Sequence, residues 1–491
     1  MARYIIDKRY RLRGWYKLPA GLYDTVCRQA VFFDPHLYEL LLGCNAGHDF
    51  DKDTLSEKEV KFLESLLKEK IIRNAGRWDV LLPEQRYKVY PARYRKTVHW
   101  SITGACNLKC RHCFMSAPHA KHGSPTTEQI MDVIDQFEEC GIFNVDITGG
   151  EPLIRKDFET IVRRLQEKEI RINTIYTNGW LVNDRLLDIL EQNGMHPAFQ
   201  LSFDGIGQHD FLRGVPGAEE KTICALKLLK ERNHHVSCSM CVHKGNSETI
   251  RDSVKLLAEL GVKSLKCGSM MNMGEWQSPD IKKLHLSEEE SLEIIERYIP
   301  LYFEDGAPLS IMLEGAFMFE KDNPDGWGIY YKRECSQEEE NDTLACPVLK
   351  DSFYLGPDGM VAPCQGMCDT DFAQSFSDLH SQRLCDILKE SEYVRLSYAT
   401  VGDVRRRNDE CRKCEYVDRC AGSCRHSALI EGNNYYGVDP QACYFFKNGW
   451  EERITAAAQK AYEAYMKRKP KDIPKGKGKK DTEDLVIPNC Y

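Results

Sequence analysis

No run of the 491 residues is apolar for long enough to cross a bilayer, which takes about 20 consecutive residues, so no membrane partner is expected. The first residues, MARYIIDKRYRLRGWYKLPA, have no apolar core ahead of a small-residue cleavage site. No signal peptide is read, and a cytoplasmic chain is expected. A positive excess is also missing. The 67 Lys and Arg stand against 75 Asp and Glu, a net charge of −8, and nothing calls for a nucleic-acid partner. Cysteine is scarce in residues 1–90, which hold only Cys27 and Cys44, whereas residues 335–443 hold ten of the 21. In a reducing compartment such clustering points to metal rather than to disulfides. The most telling absence lies in SITGACNLKCRHCF, Ser101 to Phe114. Cys106, Cys110 and Cys113 are spaced C-x3-C-x2-C with no fourth cysteine nearby, although a closed structural metal site takes four ligands.

The length calls for two to four domains. Residues 1–90 read as a small α+β unit. YRLRGWYKL and TVCRQAVFF are strand-like runs joined by PAGLYD, a hairpin pattern. Asp34 before Pro35 reads as a helix N-cap with proline at the first helical position. Ser56 and Glu59 form a capping-box pair opening a helix with Val60, Leu63, Leu66 and Leu67 on one face.

Residues 91–325 alternate strand and helix. Six strand-like runs (HWSITGAC, NVDITGG, RINTIYTNG, AFQLSFDG, HVSCSMCVH, SLKCGSM) are separated by five helix-like ones, several closing on Gly or Asn. This is the pattern of a parallel sheet, either a barrel or an open doubly wound one. Both place chemistry at the carboxyl ends of the strands. Cys106, Gly149-Gly150-Glu151, Asn178-Gly179 and Asp204-Gly205 fall there. Residues 326–450 are rich in cysteine and turns. Residues 451–491 start as a helix and end in a flexible Lys/Pro/Gly tail.

Three thiolates on one loop can hold three irons of a [4Fe–4S] cluster and leave the fourth iron open to a ligand, whereas a cluster that only carries electrons usually takes four cysteines. A zinc site completed by His112 or His119 is the other reading of the same residues. CNLKCRHC resembles the C-x3-C-x-Φ-C signature of radical S-adenosylmethionine (SAM) enzymes, with His112 where an aromatic residue near the adenine is common. TGGEP, Thr148 to Pro152, resembles the GGE motif of that family. YTNG and LSFDG resemble its later SAM-contacting strand ends. The resemblance implies a partial (β/α)6 barrel and an open iron that chelates SAM. It implies SAM contacts at His112, Thr148, Gly149, Gly150, Glu151, Pro152, Asn178, Ser202 and Asp204. The last strand ends are also ordinary turn residues.

From Cys346 the chain reads C-x12-G-x4-C to Cys364, then Cys411-x2-Cys414-x5-Cys420-x3-Cys424 and Cys443. This resembles the seven-cysteine pattern of the SPASM domain, and GPDGMVAPC fits its hairpin, with Asp358-Gly359 as the turn. The alternative is a pair of zinc knuckles. The resemblance implies two auxiliary [4Fe–4S] clusters, hence three in all. Cys335, Cys346, Cys364 and Cys424 would hold the first, with Cys368 a rival to Cys335. Cys411, Cys414, Cys420 and Cys443 would hold the second. Other cysteines are expected to be small buried hydrophobes. Cys490 has no assigned role. His119, His122, His234 and His235 read as loop histidines.

Among radical SAM–SPASM proteins the substrates are ribosomally made peptides, sulfatases, or small molecules and haem precursors. The N-terminal hairpin-and-helix module resembles the winged-helix-like RiPP recognition element, which binds a precursor's leader as an added strand. Sulfatase maturases carry Asp after the cysteine of the PC motif, and here Gln365 stands there, so no general base is named. The resemblance implies a peptide maturase that forms a crosslink, a thioether above all, fed by a donor such as flavodoxin or ferredoxin. The alternatives are a sulfatase-type side-chain oxidase, a C–C crosslink, or epimerisation. A different class is an iron–sulfur or leader-binding partner without radical chemistry.

Overall fold

A computed structural model describes residues 2–468, apart from 52, 270–272, 322, 324 and 325. The basic tail and Cys490 lie outside the described residues. All six expected strands form. Thr97–Ser101, Asn144–Thr148, Arg171–Thr177, Ala198–Ser202, Val236–Val242 and Ser264–Ser269 lie side by side in chain order, each pair parallel. The connections contain Thr127–Cys140, Phe158–Glu167, Asp184–Gln192, Ala218–Glu231 and Ile250–Glu259. Local chemistry sets their ends. The Thr126 hydroxyl accepts from Gln129 N in a capping box, and Gly141 closes that helix at φ 70°. Ile130, Ile134 and Phe137 recur on one face and bury fully against the sheet residues Val98, Trp100 and Val145. Burying side chains of this size stabilises by about 1.5–3 kcal/mol each.

The sheet is longer than the six strands read from sequence. Ser310–Leu313 adds a parallel seventh beside Ser264–Ser269, followed by antiparallel Phe317–Phe319 and Trp327–Gly328. At the other end Ser352–Leu355 pairs in parallel with Thr97–Ser101, and Val361–Ala362 turns back on it. The order of these eleven strands has two distinct ends, so the barrel is partial. One sheet therefore runs across residues 325/326, where the composition changes. SIML and SFYL are four residues each, too short to carry a period in the sequence.

At the N-terminal end, Tyr10–Trp15, Leu18–Asp24 and Gln29–Phe32 form an antiparallel meander, with Lys88–Tyr90 added in parallel at its edge. PAGLYD is thus a central strand and not the connector it resembled. Pro19 is tolerated because the register shifts between Arg13 and Trp15, a bulge that relieves Pro19 of a ladder bond. Asp34 and the Ser56–Glu59 box cap their helices as read. At the other end, the helix Trp450–Arg468 lays Tyr462 and Tyr465 against Phe303 and Phe319. Among the described residues no helix is long and apolar enough to cross a membrane.

Candidate cofactor site

The cysteine loop leaves Thr97–Ser101 at the carboxyl end of the sheet. Backbone contacts hold it from two sides. Gly150 N donates to Thr103 O (2.8 Å) and Glu151 N to Ala105 O (2.9 Å). A Cβ on Gly150 would lie 2.2 Å from Ala105 O, so only glycine allows this approach. On the far side, Lys109 N donates to Arg213 O (3.2 Å) and Arg111 N to Leu212 O (2.9 Å). There Gly214, at φ 69°, would place a Cβ 2.1 Å from Lys109 O.

Each thiol faces an N–H donor. Leu108 N reaches Cys106 Sγ (3.4 Å), Ala117 N reaches Cys113 Sγ (3.3 Å) and Arg213 Nη1 reaches Cys110 Sγ (3.7 Å). Burial, helped by the neighbouring cysteines, pushes the Cys106 thiol up to about 12 and raises that of Cys113. A bound metal reverses this, because coordination deprotonates the thiol. The three sulfurs open on a cavity of about 260 Å³ also lined by His112, Thr148, Gly149, Gly150, Asn178 and Ser202. Burial holds the imidazole of His112 neutral, its pKa lowered to about 3, and Nδ1 is buried without a partner. All-thiol donors and an adjoining cavity lined by an uncharged imidazole fit an iron–sulfur cluster with a bound nucleoside ligand.

Glu151, Pro152 and Asp204 stand behind the cavity wall. Glu151 is fully buried, and its carboxylate accepts from Thr177 Oγ1 (2.9 Å), Asn178 N (2.8 Å) and Leu153 N (3.1 Å). It pins two strand ends together, and burial pushes its pKa up to about 7 against those bonds. Pro152 opens the buried turn Pro152–Ile154. Asp204 turns inward to Arg213 Nε (2.7 Å) and Cys241 N (3.0 Å).

Sequence reasoning gave no site role to Tyr176, Cys241 or Arg213, and noted Gln365 only as standing in place of an Asp; all four line the cavity. Tyr176 and Cys241 lie two residues from predicted or lining positions on their strands, so period-two alternation was the available signal. Gln365 follows Cys364 in the second cysteine region, whereas Arg213 comes from a short helix and no local pattern announces it. Gln365 Oε1 lies 3.3 Å from His99 Nε2, and Gln365 Nε2 lies 2.8 Å from Met115 Sδ. Burial lowers the pKa of His99 to about 4, with the Gln365 contact opposing.

The later cysteines form two groups. Cys364 feels Cys424 and Cys346, and Cys424 feels Cys346. In the other group Cys420 and Cys414 act on Cys411, Cys414 on Cys420, and Cys411 and Cys420 on Cys443, each raising the thiol beside the larger effect of burial. Cys335 is buried against Val401 and Ala421, with Sγ 3.6 Å from Ser336 O. Cys368 lies beside Cys364, Asp358 and Asp369. His122 is more than a loop residue. Its Nδ1 meets Asp358 at 3.1 Å and its Nε2 meets Asp369 at 3.3 Å, tying the end of the cysteine loop to the hairpin of the later region.

Residues 100–257 match the Radical SAM superfamily, and residues 346–415 match the iron–sulfur cluster-binding SPASM domain. The chain thus carries a radical SAM domain followed by a SPASM domain. Radical SAM enzymes use SAM and an iron–sulfur cluster, and the SPASM match falls on the second cysteine region. AdoMet-dependent heme synthase of Methanosarcina barkeri is 25% identical, covering 71% of this chain and 96% of its own length. PqqA peptide cyclase of Granulibacter bethesdensis is 24% identical, covering 70% and 85%. The structure of Streptococcus suis SuiB bound to precursor peptide SuiA has the same fold at 16% identity, with a TM-score of 0.59 and coverage of 90% and 99%.

Proposed function

We propose that this radical SAM–SPASM enzyme is a peptide maturase that abstracts a hydrogen atom from a ribosomally made precursor and closes a crosslink, a cysteine thioether. The observation that carries the reading is the extent of the SuiB likeness. The tenth of this chain outside it, about 49 residues, is smaller than the 90-residue N-terminal module. The common fold therefore extends into that module, which we assign to the precursor's leader.

We assign Cys106, Cys110 and Cys113 to the SAM-binding cluster, and Cys411, Cys414, Cys420 and Cys443 to one auxiliary cluster. Cys346, Cys364 and Cys424 belong to the other, which makes three clusters. Cys335 or Cys368 completes the last; Cys368 is the one beside Cys364. A flavodoxin or ferredoxin supplies electrons. When bound, the SAM cluster supplies one electron that cleaves SAM and generates the hydrogen-abstracting 5′-deoxyadenosyl radical. The residues of the chain do the rest. His112 lines the cavity and would pack its neutral ring against the nucleoside ligand. Glu151 keeps Asn178 at the rim. Gln365 presents a neutral amide to the substrate, where a sulfatase-type oxidase carries a carboxylate. The crosslink removes two hydrogens from the peptide: one as an atom taken up by the 5′-deoxyadenosyl radical to give 5′-deoxyadenosine, and one as a proton released to solvent plus an electron that an auxiliary cluster would accept.

The heme synthase likeness favours a second reading, a tetrapyrrole side chain as substrate. One experiment separates them. The anaerobically reconstituted enzyme, with SAM and dithionite, is given candidate precursor peptides or an iron coproporphyrin, and products are weighed. A precursor lighter by two hydrogens, with equimolar 5′-deoxyadenosine, supports the maturase. Turnover of the porphyrin alone overturns it.

A further inference from the structure

Arg213 is a buried cation that the proposed chemistry leaves without a task, 8% exposed at the rim of the cavity. Its Nε donates to Asp204 Oδ2 at 2.7 Å and its Nη1 points to Cys110 Sγ at 3.7 Å. The carboxylate behind it is fixed independently. Asp204 Oδ1 accepts from Cys241 N (3.0 Å), and the Asp204 carbonyl accepts from Asn246 Nδ2 (2.8 Å). His209 also stands against Asp204: its Nδ1 accepts from Asp204 N (3.0 Å) and lies 3.4 Å from Asp204 Oδ2, and its Nε2 faces Thr222 Oγ1 (3.3 Å). Carboxylate, guanidinium and sulfur thus stand in one relay, with the cation in front. The same short helix, His209–Arg213, receives the amides of Lys109 and Arg111 through its last two carbonyls. Guanidinium and cysteine loop are therefore held in register by backbone as well as by side chain.

We infer that Arg213 is a positioning residue that sets the reduction potential of the cluster held by Cys110, and that Asp204 attenuates it. The inference rests on the proposed reading of Cys106, Cys110 and Cys113 as cluster ligands. Cluster potentials follow net charge and hydrogen bonds to the sulfurs. Reduction by one electron from an external donor adds one negative charge. A cation hydrogen-bonded to a ligand sulfur stabilises the reduced state more than the oxidised one, and burial strengthens the effect. The carboxylate at its back offsets part of that charge. Lysine carries the charge but not the fork, so a single ammonium serves Asp204 and Cys110 less well than a guanidinium.

The test uses full-length, anaerobically reconstituted wild type, Arg213→Gln, Arg213→Lys and Asp204→Asn. Each is poised with dithionite and mediators. The cluster whose EPR signal changes on adding SAM is quantified, and iron is counted per chain. At the wild-type midpoint, Arg213→Gln is expected to lower the ratio of reduced to oxidised cluster tenfold, which is 59 mV for a one-electron couple. Asp204→Asn breaks the same ion pair but is expected to move the ratio the other way. A role confined to holding the loop would move both variants in the same direction, and that result overturns the inference. Arg213→Lys, the gentler change, is expected to lie nearer wild type than Arg213→Gln, and coincidence of the two also overturns it. A wild type whose SAM-sensitive cluster survives Cys106→Ala/Cys110→Ala/Cys113→Ala sinks the ligand reading itself, and this inference with it. A normal wild-type cluster with unshifted variants sinks the inference alone.

Discussion

Trp15 Nε1 donates to the Gly141 carbonyl at 3.3 Å, and the indole fills the space that a side chain on Gly141 would need. One glycine thus caps a barrel helix and receives the N-terminal module. A Cβ there would lie 2.6 Å from Trp15 Nε1 and 2.5 Å from Tyr90 Cδ2, at a φ of 70°. Gly141→Ala is expected to destabilise by about 2 kcal/mol, combining left-handed strain with a clash. It should also loosen the module from the barrel. Thermal unfolding and limited proteolysis between residues 91 and 97 check both, and an unchanged melting temperature would refute the docking role.

Gly150→Ala tests the other close approach. Its Cβ has only backbone to push against, Ala105 O at 2.2 Å, so the cysteine loop must shift. The variant should lose the iron bound by the loop and keep that of the later cysteines. Iron analysis with EPR before and after adding SAM reads this directly, and a full iron complement with normal SAM response would contradict it.

On the proposed reading Gln365, which lines the cavity beside His99 and Met115, holds substrate and not the cofactor. Gln365→Ala is expected to leave substrate-free SAM cleavage within about twofold. Coupled product should fall at least tenfold, the range of one lost positioning contact. Comparing 5′-deoxyadenosine with modified peptide in one reaction gives both numbers.

The His122 latch should be pH-dependent. The two carboxylates of Asp358 and Asp369 raise its pKa to about 9 against the cost of burial, with Lys121 sharing Asp369 at 2.7 Å. A raised folded pKa means the stabilisation is fully present below the unfolded value of 6.5 and is lost as pH rises through about 9. The expected loss is on the order of 2 kcal/mol. Thermal unfolding at pH 6 and pH 10 should show it in wild type, and His122→Gln should flatten that difference.

What could be read along the chain was whatever depends on neighbours in sequence. Cys106, Cys110 and Cys113 announce their chemistry by spacing, and Thr126 and Ser56 announce helix starts through capping boxes. The strand Leu18–Asp24 was misread because Pro19 and Gly21 signal a turn locally. A bulge in this strand, set by its register against Tyr10–Trp15 and invisible in the sequence, admits them. Asp204 looked like a cofactor contact because it ends a strand beside the site. Its carboxylate faces away because Arg213, nine residues on, returns beneath it.

The sequence by itself determined the candidate donor atoms, the alternation of strand and helix, and their gathering at the carboxyl ends of the strands, because periodicity and ligand spacing are local properties of a chain. Tertiary structure alone decided that Arg213 stands against Cys110, that Gln365 enters the cavity from 250 residues beyond Met115, and that His122 is clasped by Asp358 and Asp369. Such contacts depend on how strands close into a partial barrel and on which short elements pack over its mouth. Buried charge then selects among them, since each ion removed from water must meet a partner.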